Sequence, residues 1–120
     1  MSKERERRRV ARLPIPSRLS GPGLEEHQVR LLDLSPAGAR IEHIRLLPDW
    51  SLCYLDLPPA LGGIRLQGQV IWSQVAGRTT LVDGKRVICY RSGLRFSELT
   101  REQDAGLTAA LNILKTAQAG

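Results

Sequence analysis

Aromatic residues are scarce in this 120-residue chain: Trp, Tyr and Phe together make up 4% of it. Binding single-stranded nucleic acid by stacking calls for several exposed rings, so that class is disfavoured. Cysteine is equally sparse. Cys53 and Cys89 are too few for a disulfide scaffold and lack the C-x-x-C spacing of zinc ligands, and His27 and His43 lie far from any cysteine pair. No metal is expected, and both cysteines read as small hydrophobes buried in strands. No apolar run approaches the ~20 residues of a membrane-crossing helix. The basic N-terminus has no apolar stretch behind it, so it is not expected to be a secretory signal. Repeats and low-complexity stretches are absent. No Ser/His/Asp set, carboxylate dyad or phosphate-binding loop occurs in supporting context, so a non-enzyme is expected. The expectation is a small, soluble, cytoplasmic domain of one folded unit.

What the chain does have is positive charge, unevenly placed. Eighteen Lys and Arg against twelve Asp and Glu give +6. Residues 1–12 hold Lys3, Arg5, Arg7, Arg8, Arg9 and Arg12 against Glu4 and Glu6, a local +4, so the remaining 108 residues carry only +2. The chain thus divides into a flexible basic arm, 1–12, and a nearly neutral body, 13–118. A dense cationic arm commonly meets an anion, although a solvated tail has the same composition. A membrane surface fits least, because the arm lacks a bulky apolar face.

The body reads as mainly β, in six or seven short strands. Pro14 and Pro16 end the arm, and Ile15–Leu19 is a short strand before the turn cluster Ser20-Gly21-Pro22-Gly23. His27–Leu34 and Ala39–Ile44 flank Ser35-Pro36-Ala37-Gly38, whose Ser, Pro and Gly suit a type I turn, so the three pieces predict a hairpin. Ser51–Leu57 stops at Pro58-Pro59. Ile64–Val75 is a long strand in which Gly68 suggests a bulge or bend and Trp72, alternating with Val70, reads as core. Thr79–Val82 and Arg86–Phe96 flank the hairpin signal Asp83-Gly84. Thr100 and Gln103 form a capping-box pattern ahead of Leu107, Leu111 and Leu114 on one helical face. Together these predict a small antiparallel barrel with a C-terminal helix packed on it or across its mouth.

Two short motifs carry chemistry. One is Arg8-x-x-x-Arg12, with Arg7 in front; the other is Asp33-x-Ser35-x-x-Gly38. Residues two apart on a strand share a face, so Asp33 and Ser35 can present a carboxylate and a hydroxyl together. Gly38 permits close backbone approach or an unusual dihedral. A carboxylate accepts paired N–H donors such as a guanine edge, and arginine bonds bidentately to the opposite guanine edge and to phosphate. An arm folded back over the barrel would clamp a guanine between the two motifs. Taken alone, Asp33 and Ser35 also fit a simple turn cap.

In this combination the chain resembles the PilZ domain, the cyclic di-GMP receptor family. The likeness spans roughly residues 5–115, including Gly68-Gln69-Val70-Ile71-Trp72 and Gly93-Leu94-Arg95-Phe96. The resemblance implies a six-stranded barrel and cyclic di-GMP as ligand, without catalysis or cofactor. It implies that Arg8 and Arg12 contact guanine faces and phosphates, that Asp33 and Ser35 hold a guanine edge, and that Gly38 lets the loop approach the ligand. Arg7 occupies the slot associated with two intercalated ligand molecules. Arg40, just past the motif, stands where the family often has an apolar residue. A module of this size would signal through a downstream protein partner. Two other readings stay open: a nucleotide-independent adaptor of the same fold, and a basic barrel that binds RNA or DNA, the latter least favoured by the neutral body.

Overall fold

A computed structural model describes residues 15–119; Arg7, Arg8 and Arg12 lie outside them. Six antiparallel strands close into a barrel. They are β1 (Ile15–Gly21), β2 (Leu24–Leu34), β3 (Gly38–His43), β4 (Leu52–Asp56), β5 (Arg65–Thr80) and β6 (Arg86–Phe96), followed by the helix α1 (Arg101–Ala119). The order around the barrel is β1-β2-β3-β6-β5-β4. The expected six-stranded barrel with a terminal helix is what forms, with two adjustments. Thr79–Val82 is not a separate strand. β5 runs on as far as Thr80 and pairs with β6 from Gly68 to Thr80, and the connecting turn centres on Asp83-Gly84, with Gly84 at φ +88°. Nor is there a bulge at Gly68, which stays in register with both Cys53 and Phe96. Its missing Cβ leaves room instead for the Arg95 carbonyl of β6, which a Cβ would meet at 2.7 Å.

Alternation fills the barrel. Leu19, Val29, Leu31, Ile41, Leu55, Leu66, Val70 and Leu94 point inward and are almost fully buried, each large enough to bring ~1.5–3 kcal/mol of apolar burial. The helix closes one end. Its start is fixed by a reciprocal capping box: the Gln103 N–H donates to Thr100 Oγ1 (3.1 Å), and the Thr100 N–H to Gln103 Oε1 (2.9 Å). Leu107 and Ala110 are buried against the core, with Leu111 and Leu114 packed beside them. Gly106 has no side chain because Ile64, on the β4–β5 connection, occupies the space. That connection, the end of β6, the β2–β3 turn and the start of β1 all lie at this end of the barrel, as the antiparallel pairing requires.

One polar chain runs through the interior. A backbone carbonyl can only accept, so His43 Nδ1–H donates to the Arg45 carbonyl (2.6 Å), leaving Nε2 to accept from Ser92 Oγ–H (2.6 Å). Ser92 then accepts from Ser73 (2.6 Å). Every member is satisfied with His43 neutral, and burial lowers the His43 pKa below its usual 6.5. Cys53 and Cys89 are buried free thiols, as expected, and desolvation raises Cys53 to about 11.

The His43 shift sets a pH dependence. Above about 6.5 the imidazole is neutral in both folded and unfolded chains. As pH falls through that value the unfolded chain takes up the proton first, so stability drops. Melting temperature is expected to decline between pH 7 and pH 5, and His43→Gln, which does not titrate, to flatten that decline. An unchanged profile in the variant would contradict the assignment.

Candidate functional site

Strict alternation would point Asp33 inward, because Leu31, two residues earlier, is in the core. The β2–β3 register shifts between Leu31 and Asp33, so Leu32 is bulged and Asp33 turns outward opposite Arg40. The same device works on β5. Val70 points inward, the β5–β6 register shifts between Val70 and Trp72, and the bulge at Ile71 turns Trp72 outward opposite Gly93. Trp72 is therefore not barrel core, as alternation with Val70 suggests, but a half-buried residue of the outer wall.

Pairing completes a row. Asp33 faces Arg40, Arg40 faces Gly93, and Gly93 faces Trp72, so four residues from β2, β3, β6 and β5 lie side by side across the outside of the barrel. Arg40 Nε and Nη2 both reach Asp33 Oδ2 at 3.2 Å, with the two side chains about half exposed. The indole of Trp72 lies over Gly93, where a Cβ would run into its ring. A shallow cavity of about 300 Å³ runs along this row and is bordered by Ser35, Gly38 and Arg95. Arg95, outward and exposed, has no ion-pair partner among the described residues.

Ser35 has a local task. Its Oγ accepts the N–H groups of Ala37 (3.3 Å) and Gly38 (3.2 Å) and lies 3.3 Å from the Gly38 carbonyl, which also accepts the Ser35 N–H at 2.9 Å. The turn between β2 and β3 is thus closed by a side chain, an ST-turn arrangement that holds the start of β3 against the end of β2. Of the two reasons expected for Gly38, close backbone approach is the one the structure shows. Its φ is not positive, and the space its Cβ would fill is taken by the Leu94 carbonyl of β6. The glycine lets two backbones meet at the rim of the cavity.

The family model "PilZ domain" matches residues 3–112 of this sequence. The chain belongs to the PilZ domain family. No curated protein matches the sequence. Among solved structures, this PilZ domain is similar to that of YcgR from Escherichia coli, solved with cyclic di-GMP, at 14% identity and a TM-score of 0.64, over 89% of this chain and 86% of that one. It is also similar to K. pneumonia MrkH in its apo state, at 16% identity and a TM-score of 0.63, covering 88% of this chain but only 49% of MrkH. The PilZ domain of CeSA from a cellulose-synthesizing bacterium aligns at 16% identity and a TM-score of 0.57, over 87% and 95% of the two chains. At these identities the likeness concerns the fold.

Of the residues read from the sequence, the structure brings Asp33, Ser35 and Gly38 to one cavity rim; Arg7, Arg8 and Arg12 fall outside the described residues. Sequence reasoning missed Arg40 and Trp72 as site residues. Arg40 could have been found by pairing across the Ser35–Gly38 turn, but Trp72 depends on a bulge that alternation does not reveal. Among the described residues, no cluster of histidine, cysteine and carboxylate suits a metal ion.

Gly38→Ala tests the backbone contact. The added methyl meets a carbonyl held in a strand pair, so a loss of ~3 kcal/mol is expected, which for a domain of this size lowers Tm by at least about 10 °C. A Tm within 2 °C of the parent would show that β3 and β6 do not approach as described.

Proposed function

We propose that this protein is a cyclic di-GMP sensor that orders its N-terminal arm on binding ligand and signals in the cytoplasm through a partner protein. It acts by binding, without catalysis. The observation that carries this reading is the placement of the Asp33 row beside the point where the arm joins the barrel. Ile15, the first residue of β1, pairs with Leu31, two residues along β2 from Asp33. Arg12 precedes Ile15 by three residues, a reach of at most ~10 Å for an extended chain.

In this reading Arg8 and Arg12 bond the guanine faces and phosphates, and Arg7 favours a second, intercalated ligand molecule. Asp33 Oδ1 and Oδ2 take the N–H donors of a guanine edge. Arg40 holds that carboxylate in the outward orientation. Their exposed ion pair is worth at most ~1 kcal/mol, so a guanine edge competes with it at small cost. Ser35 keeps the turn in shape and borders the ligand, as does Gly38. Arg95 supplies a further cation for phosphate.

The domain then responds by its differential affinity for the state with the arm in place. A second reading has support of its own: the Asp33–Arg40 pair and the Ser35 turn explain both motif residues with no ligand, as a nucleotide-independent adaptor would need.

Titration calorimetry with cyclic di-GMP separates the two, with GTP and a short oligonucleotide as controls. Binding at micromolar Kd or tighter is expected, weakened at least about tenfold, ~1.4 kcal/mol, in each of Arg8→Ala, Arg12→Ala and Asp33→Ala. A stoichiometry of two that falls to one in Arg7→Ala would fit the intercalated pair. Absence of heat from folded protein would leave the adaptor.

A further inference from the structure

The barrel is incomplete at the end away from α1. β3 stops at His43, so β2 pairs with it only from Arg30 onward. From Leu24 to Val29, β2 is bonded to β1 on one side. On its other side no strand, and no backbone hydrogen bond from a loop, meets this edge among the described residues. Alongside it lies a groove of about 590 Å³, whose lining includes His27 and Val29 on β2, Ile44 and Arg45 after β3, and Leu81 and Cys89 on the projecting β5–β6 hairpin. An unpaired edge beside an apolar wall is the geometry used for strand addition.

A second observation points to the same place. His27, which lines the groove, donates Nδ1–H to the Glu25 carbonyl (3.1 Å), and its Nε2 is buried with no hydrogen-bond partner among the described residues.

Charge selects the occupant. Arg45, Arg78, Lys85 and Arg86, around the groove and on the hairpin, have no ion-pair partner among the described residues, whereas Glu26 is held by Arg18 and Glu42 by Arg30 and Arg91. Glu25 and Asp83 are the local acids left over. The chain's own +4 arm would meet like charge here, and a second copy's basic hairpin would be repelled in the same way. We propose that the open edge of β2, Leu24–Val29, receives an extended segment of a partner protein in which acidic and apolar residues alternate. Its apolar side chains pack on Leu81, Cys89 and Ile44, and its acidic ones face the hairpin cations. This surface is distinct from the Asp33 row and holds whether or not cyclic di-GMP binds.

The test uses the full chain without nucleotide and three synthetic ten-residue peptides. One alternates Asp and Val, one alternates Lys and Val, and one is the Asp–Val peptide with a central Pro. Backbone amide hydrogen exchange is followed by NMR. The Asp–Val peptide is expected to slow exchange at least tenfold in the Leu24–Val29 amides that point away from β1. The Lys–Val and Pro peptides are expected to leave them unchanged. Arg45→Glu combined with Arg86→Glu should weaken the Asp–Val peptide at least fivefold while the amide spectrum stays that of the folded chain. Three results would overturn the proposal: no slowing by the Asp–Val peptide, equal slowing by the Lys–Val peptide, or edge amides already protected in the free protein. The last would mean that the chain itself or a second copy covers the edge.

Discussion

Two extra residues, Leu32 in β2 and Ile71 in β5, decide what this barrel presents to solvent. A strand in a closed barrel has one face for the core and one for water, and alternation assigns every side chain to one of them. Each bulge sits just after an inward residue, Leu31 or Val70, and turns outward the side chain two positions further on. Asp33 and Trp72 leave the interior as a result, and Arg40 and Gly93 of the two strands between them complete the row. Without the first bulge a carboxylate would be driven toward Ile41 and Leu94, at a cost that an apolar core does not tolerate.

The rest of the site depends on backbone contact. β3 starts where Gly38 lies on the Leu94 carbonyl, and Gly93 makes room for an indole. Ser35 closes the turn that sets Asp33 and Arg40 opposite each other. These residues serve the fold and the site together, so a motif glycine or serine says less about ligand contact than a motif carboxylate does. The interior obeys the same economy at the far end. There His43 is buried neutral in a hydrogen-bonded chain, while β3 ends and leaves the edge of β2 open. The two ends of the barrel therefore differ in character. One gathers the helix, the motif turn and the start of β1, and the other carries a basic hairpin and an unfinished wall.

Much of the fold is legible in the sequence because its signals are local. Pro58-Pro59, Asp83-Gly84 and the Ser35–Gly38 turn punctuate the strands, and Thr100 with Gln103 marks the helix start to the residue. The length of β5 is less legible, since Gln74 to Arg78 is exposed and includes Gly77 at φ +135°, which looks like loop. The site is legible as a motif but not as a surface. Asp33 and Ser35 are conspicuous, whereas the membership of Trp72 depends on a register shift fixed by pairing with β6, a contact more than twenty residues away. The placement of charge is more informative than its sum: residues 1–12 carry +4 and the remaining 108 only +2, a division that the total of +6 conceals.

The central claim is that ligand and arm meet on the row from Asp33 to Trp72. Amide and indole NMR shifts of the full chain on adding cyclic di-GMP test it most directly. Changes are expected to concentrate at Asp33, Ser35, Arg40, Gly93, the Trp72 indole N–H and residues 7–12. Changes centred instead on His27 and Cys89, or none at saturating ligand, would contradict it.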